Sequence, residues 1–363
     1  MKKICFLFKK IAFCCLFAVA LTACESDNDS PSITLPPGAN GVFILNQGGY
    51  NTNDASVSFY DFDSGVLERD IANGGLGATG QDLLIYGSKL YVSMTGSSYI
   101  AVFDVETRRL LKNIHLLGED GAPREPRYLE SHGGKIYVSC WDRANGGSVL
   151  RIDTLNFAVE ARAQAGEFPE GIAISGGKLY VANSGGQSQT GFDNTVSVID
   201  LLTFTETERI SVGTNPYIIK ADGRGNLFLT YQGNWYDIPG GFQRINTASG
   251  TVTDLGTSPK QDFLLLNGFV YFYDVDYTIS DTGEKRYGKY DTQSNTFDFA
   301  FIKNPKKIRA TPYGIGINPR NGDIYIADSD WFNPGTITIF DATGQFKHAL
   351  TDVGMNPCKF AFY

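Results

Sequence analysis

Residues 168–212 alternate apolar and polar side chains with a period of two, and turn residues interrupt this alternation at short intervals. The alternation predicts strands over residues 171–175, 178–183, 195–200 and 206–212. Gly176-Gly177 separates the first two runs and marks a tight hairpin. Four strands in this order make an antiparallel sheet of roughly 45 residues, the size of one propeller blade. Such a sheet cannot bury both of its faces alone.

The same pattern recurs along the chain. The second strand of the unit is found seven times, at residues 42–46, 89–93, 135–139, 178–182, 226–230, 269–273 and 323–327. The third strand recurs in step and ends in Asp, or in Asn246 in the fifth copy, and both side chains suit a turn. Spacings of roughly 43 to 54 residues exclude a short-repeat solenoid. The sequence therefore predicts an all-β fold, a seven-bladed β-propeller of four-stranded antiparallel blades.

The two ends of the repeated region complement each other. Gly41 begins directly at a second strand, and residues 357–363 read as a first strand with no second strand after it. Pairing these two segments would complete the first blade and protect its edge. We expect the carboxyl-terminal strand to close the ring in the amino-terminal blade.

Residues 1–23 have the pattern of a lipoprotein signal peptide. Four lysines flank or precede an apolar stretch, residues 11–20, that is too short to span a bilayer comfortably. Leu21-Thr22-Ala23-Cys24 resembles the lipobox of bacterial lipoproteins, which implies cleavage before Cys24 and lipidation of that cysteine. An ordinary secretory signal is the alternative. Residues 24–40 are polar and contain prolines, which predicts a flexible tether to a propeller at residues 41–363.

The charges and cysteines narrow the class of protein further. Loss of the four signal lysines would change the formal net charge from −8 to −12, which excludes a nucleic-acid-binding footprint. Of the six cysteines, only Cys140 and Cys358 lie in the predicted propeller. Because they belong to repeats that are not neighbours, two unbridged thiols are predicted.

Several motifs resemble those of known proteins. Gly-Lys-Leu-Tyr-Val-Ala at 177–182 and Val-Ser-Val-Ile-Asp at 196–200 resemble the YncE-like, surface-layer type of propeller. Acidic residues directly after Cys24 resemble the signal that exports Bacteroidetes lipoproteins to the outer face of the outer membrane. Together these features are similar to surface lipoproteins that capture cobalamin for a TonB-dependent transporter. The resemblance implies a corrinoid ligand, an outer-membrane transporter as partner, and membrane contact through the lipid on Cys24.

One face of the predicted propeller is richer in chemistry than the other. Loops between second and third strands share a face with the blade-to-blade connections, and here they are long and rich in aromatic and amide residues. All three tryptophans lie in these loops. An exposed indole favours a binding surface, and loops on a rigid scaffold commonly carry one. The alternative is that each ring packs on its own blade.

Candidate ligand-binding residues come from these loops and from the starts of the inner strands, which converge on the channel mouth. They are Asn46, Gln47, Tyr50, Arg127, Trp141, Asp142, Arg143, Asn183, Gln187, Tyr217, Tyr231, Trp235, Tyr236, Asp274, Asp276, Tyr277, Tyr313, Asp328, Trp331 and Phe332. The strand starts also place Gln81, Glu170, Lys260 and Cys358 at the mouth. A lining of mutually satisfied polar groups and water is the alternative for these positions.

The sequence gives little support for catalysis. The three histidines lack metal-ligand spacing, and neither a Gly-x-Ser-x-Gly turn nor a glycine-rich phosphate loop is present. We therefore expect a protein that is not an enzyme, with no resident cofactor and no bound metal. A calcium site is an alternative, because carboxylate oxygens could come from Asp274 with Asp276 or from Asp328 with Asp330. Glycoside hydrolysis by a pair of the same carboxylates is another alternative.

Three functions are compatible with these observations. A corrinoid is a flat disc fringed with amides, which suits a funnel of aromatic and amide side chains, and this is the preferred hypothesis. A surface propeller that binds or hydrolyses a glycan is the second. A protein-interaction platform of an outer-membrane complex is the third.

Overall fold

The computed structural model describes residues 40–49, 52–118, 121–143, 146–188, 191–277 and 283–363. Within these ranges the chain forms seven four-stranded antiparallel sheets arranged in a ring, which confirms the predicted seven-bladed propeller. The signal peptide, Cys24 and the tether up to residue 39 lie outside the described residues, as does Tyr50. No helix in the described ranges has the length and apolar character needed to cross a bilayer.

The strands are numbered along the chain, and each blade is given from its inner to its outer strand. Blade 1 contains β28 (Pro357–Phe362), β1 (Gly41–Asn46), β2 (Ser56–Asp61) and β3 (Leu67–Glu68). Blade 2 contains β4 (Gly80–Tyr86), β5 (Lys89–Met94), β6 (Tyr99–Asp104) and β7 (Leu110–His115). Blade 3 contains β8 (Glu125–His132), β9 (Lys135–Asp142), β10 (Gly146–Asp153) and β11 (Val159–Gln164).

The remaining four blades follow the same order. Blade 4 contains β12 (Pro169–Ser175), β13 (Lys178–Asn183), β14 (Thr195–Asp200) and β15 (Thr205–Ser211), and blade 5 contains β16 (Pro216–Ala221), β17 (Asn226–Tyr231), β18 (Gly241–Asn246) and β19 (Val252–Gly256). Blade 6 contains β20 (Phe263–Leu266), β21 (Phe269–Asp276), β22 (Glu284–Asp291) and β23 (Thr296–Asp298). Blade 7 contains β24 (Thr311–Ile317), β25 (Ile324–Ser329), β26 (Thr336–Phe340) and β27 (Phe346–Leu350), preceded by a 3-10 turn at Pro305–Lys307.

The ring closes through blade 1, as the sequence predicted. Strand β28 pairs antiparallel with β1, with Val42 opposite Phe362 and Leu45 opposite Lys359. The Gly41 amide donates to the Tyr363 carbonyl at 3.0 Å, and the Tyr363 amide donates back at 2.9 Å. The last strand therefore supplies the inner strand that the first blade lacks.

Burial follows the position of a strand within its blade. All six residues of β1 are buried, because each blade packs both of its faces against neighbouring blades. The outer strand β15 is exposed at most positions, since it lies at the rim of the ring. The core accordingly consists of clusters between adjacent blades, such as Ile315, Ile317 and Phe340 packed with Tyr273 and Tyr287.

Hydroxyl groups on second strands connect one blade to the next. Ser93 donates to the Arg127 carbonyl at 2.6 Å, Ser139 donates to the Glu170 carbonyl at 2.7 Å, and Thr230 donates to the Gln261 carbonyl at 3.0 Å. Each bond satisfies a carbonyl at or just before the start of an inner strand. These bonds fix the inner strands that surround the channel.

The two faces of the ring differ as predicted. We call the face that carries the second-to-third loops the upper face and the opposite face the lower face. Lower-face hairpins are tight, with Gly176 and Gly177 at φ 55° and 71°. An aspartate, or Asn246 in blade 5, stands at the end of each third strand or directly after it and caps the following turn, as where Asp153 accepts the Leu155 amide at 2.9 Å. Cys140 and Cys358 are buried free thiols, as predicted.

Three segments predicted as loops are extensions of strands. Strand β9 continues through Asp142, β21 through Asp276, and β25 through Ser329. Trp141, Asp142, Asp274, Asp276 and Asp328 are thus strand residues, and the sixth loop is a long hairpin of β21 and β22. The error arose because polar residues that end a buried strand look the same in sequence as residues that begin a loop.

Candidate functional site

The upper face opens into a central cavity of about 350 Å³ at the mouth of the channel. Its polar lining consists largely of amide and phenol side chains. These are Gln47, Gln81, Gln232 and Gln261, and Tyr128, Tyr217, Tyr273, Tyr277 and Tyr313. A lining of this kind offers hydrogen bonds to a neutral polar ligand from several directions at once.

An ion pair lies at the base of this cavity. The Lys359 ammonium donates to Asp262 at 2.5 Å and lies 5.3 Å from the centre of the Tyr128 ring. Burial opposes the charge of Lys359, but Asp262 and Asp82 outweigh it and raise the pKa of this ammonium. Burial raises the pKa of Asp82, whose carboxylate accepts the Leu129 amide at 3.0 Å. Lys359 and Asp262 thus neutralise each other at the cavity lining.

A second, side cavity of about 740 Å³ lies over blades 1 to 3. Its wall includes Trp141, whose ring has the Arg127 guanidinium 4.0 Å from its centroid and that of Arg143 at 5.6 Å. Arg143 donates to both oxygens of Glu125, at 2.6 and 3.0 Å. Arg127 is buried and donates to both oxygens of Glu170, at 2.9 and 3.1 Å. Burial raises the pKa of Glu170 to about 7, although Arg127 opposes this shift.

The two cavities share one wall, made by Gln47, Tyr313 and Trp331. The Tyr313 and Trp331 rings meet edge to face, with centroids 4.8 Å apart, and the Tyr313 hydroxyl donates to the Gln47 side chain. Trp331 has a left-handed backbone with φ 71°, in a turn where Asp330 accepts the Phe332 and Asn333 amides at 2.9 and 2.8 Å. A ligand that lies over this wall would contact both cavities.

Eight of the predicted site residues line one or both cavities. They are Gln47, Arg127, Trp141, Arg143, Tyr217, Tyr277, Tyr313 and Trp331. Two of the three tryptophans therefore meet around one opening. Trp235 does not, since its ring packs edge to face on Phe192 at 5.1 Å and stays 66% exposed.

Several other predicted residues have structural partners away from both cavities. Asn46 and Asn183 are fully buried, and each donates its side-chain amide to a serine of the next strand, Ser58 at 2.8 Å and Ser197 at 2.9 Å. Tyr231, the last residue of β17, packs against Gly213 and Gly241.

The carboxylates expected at the mouth are also committed elsewhere. Asp142 pairs with Arg124 at 3.1 Å, Asp274 accepts the Lys260 amide at 2.9 Å, and Asp328 accepts the Arg309 amide at 3.0 Å. Asp276 lies 3.9 Å from the Lys260 ammonium. Across the described ranges, no group of three or more His, Cys, Asp or Glu side chains is arranged to hold a metal ion.

The remaining predicted residues are on the rim. Tyr236 is 94% exposed, Phe332 is 85% exposed and Gln187 is exposed, and none of them lines either cavity. These side chains are accessible to a partner on the surface of the protein and would not contact a ligand inside the cavities.

Sequence reasoning missed Tyr128, Asp262 and Lys359, which line the central cavity. Blade 3 has a β-bulge between Pro126 and Leu129, where Arg127 and Tyr128 of β8 stand opposite a single residue of β9. Regular pairing would place one residue there, so the sequence pattern pointed to Arg127 alone. The same irregularity follows Pro169, Pro216 and Pro312 in blades 4, 5 and 7. The repeated proline at the start of an inner strand was the available signal.

One family of proteins matches most of this chain. A family described as "Domain of unknown function (DUF5074)" matches residues 40–350. Among curated protein sequences, none matches this chain.

Similar solved structures are distant in sequence. A functionally unknown protein from Desulfotomaculum acetoxidans is 13% identical over 88% of this chain and 99% of its own, with a TM-score of 0.62. Apo AztD from Citrobacter koseri is 13% identical over 89% and 83%, with a TM-score of 0.55. Kuenenia stuttgartiensis hydrazine synthase is 19% identical over 70% and 74%, with a TM-score of 0.54. At these identities the likeness is one of fold.

Proposed function

This chain belongs to the DUF5074 family, whose description assigns no activity, and we propose that it is a ligand-capture protein of the cell surface. The proposed ligand is cobalamin or another corrinoid, bound on the upper face of the propeller. The proposed partner is an outer-membrane TonB-dependent transporter that receives the ligand.

The single observation that carries this proposal is the shared wall of the two upper cavities. A corrin macrocycle is flat and rather apolar, and amide groups fringe its edge. The Tyr313–Trp331 pair supplies aromatic surface at the wall, and four glutamines supply hydrogen bonds around the central cavity. Because these groups come from different blades of a rigid ring, little ordering is required on binding, which favours high affinity.

The ion pairs of the charged groups near the cavities favour ligand binding over catalysis. Glu125, Glu170 and Asp262 each accept hydrogen bonds from an arginine or lysine close to the cavities. A general acid or base needs a carboxyl that is free to exchange a proton with substrate. The ion pairs thus support a role in shaping the cavities.

The position of the first strand supports a tethered arrangement. Gly41 begins β1, a second strand, so the chain enters the propeller at its lower face. A lipid on Cys24 and a tether over residues 24–40 would then hold the lower face toward the outer membrane. The upper face would point to the cell exterior, where the exposed Tyr236 and Phe332 are available to a transporter.

Calorimetric titration with cyanocobalamin tests the ligand. We expect saturable heat with the mature protein, and affinity weakened by at least about tenfold in Trp331→Ala, since this indole is part of the shared wall. Trp235→Ala is the matched control, because Trp235 occupies the equivalent loop of blade 5, also with a left-handed backbone, but lines neither cavity. It should bind within about twofold of the wild type.

The absence of heat at micromolar protein would rule out a corrinoid ligand. Aromatic rings with nearby amides also suit a sugar, so a glycan array is the second experiment. Glycan binding that depends on Trp331 and not on Trp235 would favour the alternative function. Recovery of a transporter in a pull-down, with both ligands negative, would favour a protein-interaction platform.

A further inference from the structure

A third cavity lies on the lower face, between blades 6 and 7, and neither the fold nor the upper site uses it. Its volume is about 260 Å³. The lower-face hairpins contribute Asn267 and Asn318, the last turn of blade 7 contributes Thr343, and strand β22 contributes Lys289. The segment after β23 adds Phe301 and Lys303 to the lining.

Lys289 has hydrogen-bonding capacity that the protein does not use. Its ammonium lies 3.9 Å from the centre of the Phe269 ring and 5.4 Å from that of Tyr271. The side chain is half-buried, and among the described residues its ammonium has ring contacts but no hydrogen bond or ion pair, although Asp298 lies opposite Lys289 in the pairing of β22 with β23. The two rings favour the cation but accept no conventional hydrogen bond. The N–H donors of this lining residue are therefore left without a hydrogen-bond acceptor from the described residues.

Other charged residues lie in or near this cavity. Lys303 is exposed and donates to the Ala300 carbonyl at 2.8 Å, which leaves donors for a ligand. Asp298 also lines the cavity, and one of its oxygens accepts the Ala300 amide at 2.8 Å. Asp291, near Lys289, is tied to its own turn through the Gln293 amide at 2.8 Å. Among the residues that line this opening, lysines thus outnumber carboxylates by two to one, in a protein of net charge −8.

The rest of the lining is apolar. Leu266, Phe301, Ile317 and Ile324 form this part of the wall. Phe301, Ile317 and Ile324 are buried in the core between blades 6 and 7, so the contacts expected for a ligand at this opening are mainly polar. Lysine binds phosphate well as a point charge, and two ammonium groups suit a dianion better than a carboxylate.

We infer that the cavity between blades 6 and 7 is a binding site for the phosphate group of a small organic phosphate or of a phospholipid. Lys289 and Lys303 bind the phosphate oxygens, and Asn267, Asn318 and Thr343 are the polar side chains beside them. The site is on the lower face, where β1 begins, so a lipid headgroup and a soluble phosphate ester are both sources of the same chemistry.

Titration with glycerol phosphate, followed by calorimetry, tests the site directly. We expect saturable binding that Lys289→Gln weakens by about tenfold and Lys303→Gln weakens several-fold, since each removes a charge-assisted hydrogen bond. Lys112→Gln is the control, because Lys112 is an exposed lysine of β7 far from this cavity and should leave the affinity unchanged. Thermal unfolding of each variant shows whether it is folded.

Vesicles distinguish the two sources. The lipid headgroup would be identified if the protein co-sediments with phosphatidylglycerol vesicles but not with phosphatidylcholine vesicles, and if Lys289→Gln reduces this co-sedimentation. Binding of glycerol phosphate with no vesicle binding would identify the soluble ester. The inference is overturned if the folded wild type binds neither probe, or if Lys289→Gln and Lys112→Gln bind both as the wild type does. Cyanocobalamin binding on the opposite face should be the same in all three variants.

Discussion

Arg127 and Glu170 form a buried ion pair that joins blade 3 to blade 4 beneath the Trp141 ring. We expect Arg127→Met to lower the free energy of unfolding by about 3 to 5 kcal/mol, because it leaves a buried carboxylate without its partner. The double variant Arg127→Met/Glu170→Leu should recover much of that loss, since no buried charge is then left unpaired. Chemical denaturation of the wild type, both single variants and the double variant completes the cycle.

The pH dependence of Arg127→Met separates this explanation from lost packing. Burial already raises the pKa of Glu170 to about 7, and removal of the guanidinium should raise it further. The native state then keeps a proton that the unfolded chain releases, so stability is highest at acid pH and falls as pH rises through this pKa. A deficit that is equal at acid and alkaline pH would indicate that packing, and not the unpaired charge, is responsible.

The burial and the bonding partners of single polar residues were the hardest properties to predict from the sequence. Asp142, Asp274 and Asp328 follow apolar runs and look like loop carboxylates, yet each is buried and bonded within its blade. Trp235 and Trp331 occupy equivalent turns, and only the latter lines a cavity. Which neighbour a side chain meets depends on the position of its blade in the ring, which the local pattern does not contain.

At the scale of the strands, Gly171 is required by the close approach of two inner strands. A Cβ atom there would lie 2.7 Å from the Tyr217 carbonyl oxygen and 2.8 Å from the Ile219 nitrogen, both in the next blade. We expect Gly171→Ala to lower the free energy of unfolding by about 1 to 3 kcal/mol, because neither backbone can move away freely.

Gly186→Ala is the matched control for this prediction. Its added Cβ would meet Ser184 and Asn215 at 3.4 and 3.6 Å, which is ordinary contact. Thermal and chemical unfolding of the two variants should therefore differ clearly. Equal stabilities would show that the inner strands can separate and that the funnel is less rigid than proposed.

Strands were predictable where alternation and turn residues coincide. The blade 4 strands were expected at 171–175, 178–183, 195–200 and 206–212, and they lie at Pro169–Ser175, Lys178–Asn183, Thr195–Asp200 and Thr205–Ser211. The β-bulges at the inner strands were not predicted, because an extra residue changes which side chains face the channel without changing the apolar pattern. This is why Tyr128 escaped notice while its neighbour Arg127 did not.

At the scale of the whole molecule, the two faces carry different chemistry. The upper face holds the amide- and phenol-lined cavities, and the lower face holds the lysine-containing cavity between blades 6 and 7. Since these cavities are built from the strands and hairpins of one closed ring, the ligands proposed for the two faces would meet preformed sites. The cavities of both faces therefore depend on closure of the ring by the pairing of β28 with β1.

Closure itself can be tested by moving the chain ends. Deletion of residues 357–363 should abolish cooperative unfolding, because β1 would lose its inner partner and expose a strand whose six residues are all buried. A circular permutant that joins Tyr363 to Gly41 by a short turn and opens the chain between Gly176 and Gly177 should fold, since the two ends already exchange backbone hydrogen bonds at 3.0 and 2.9 Å. We expect its melting temperature to lie within about 2 °C of the wild type, which for a chain of this length is a difference of roughly 1 kcal/mol. If the permutant, like the truncated chain, showed no cooperative transition, the presence of the carboxyl-terminal strand in blade 1 would not be sufficient, and its position at the end of the chain would also be required.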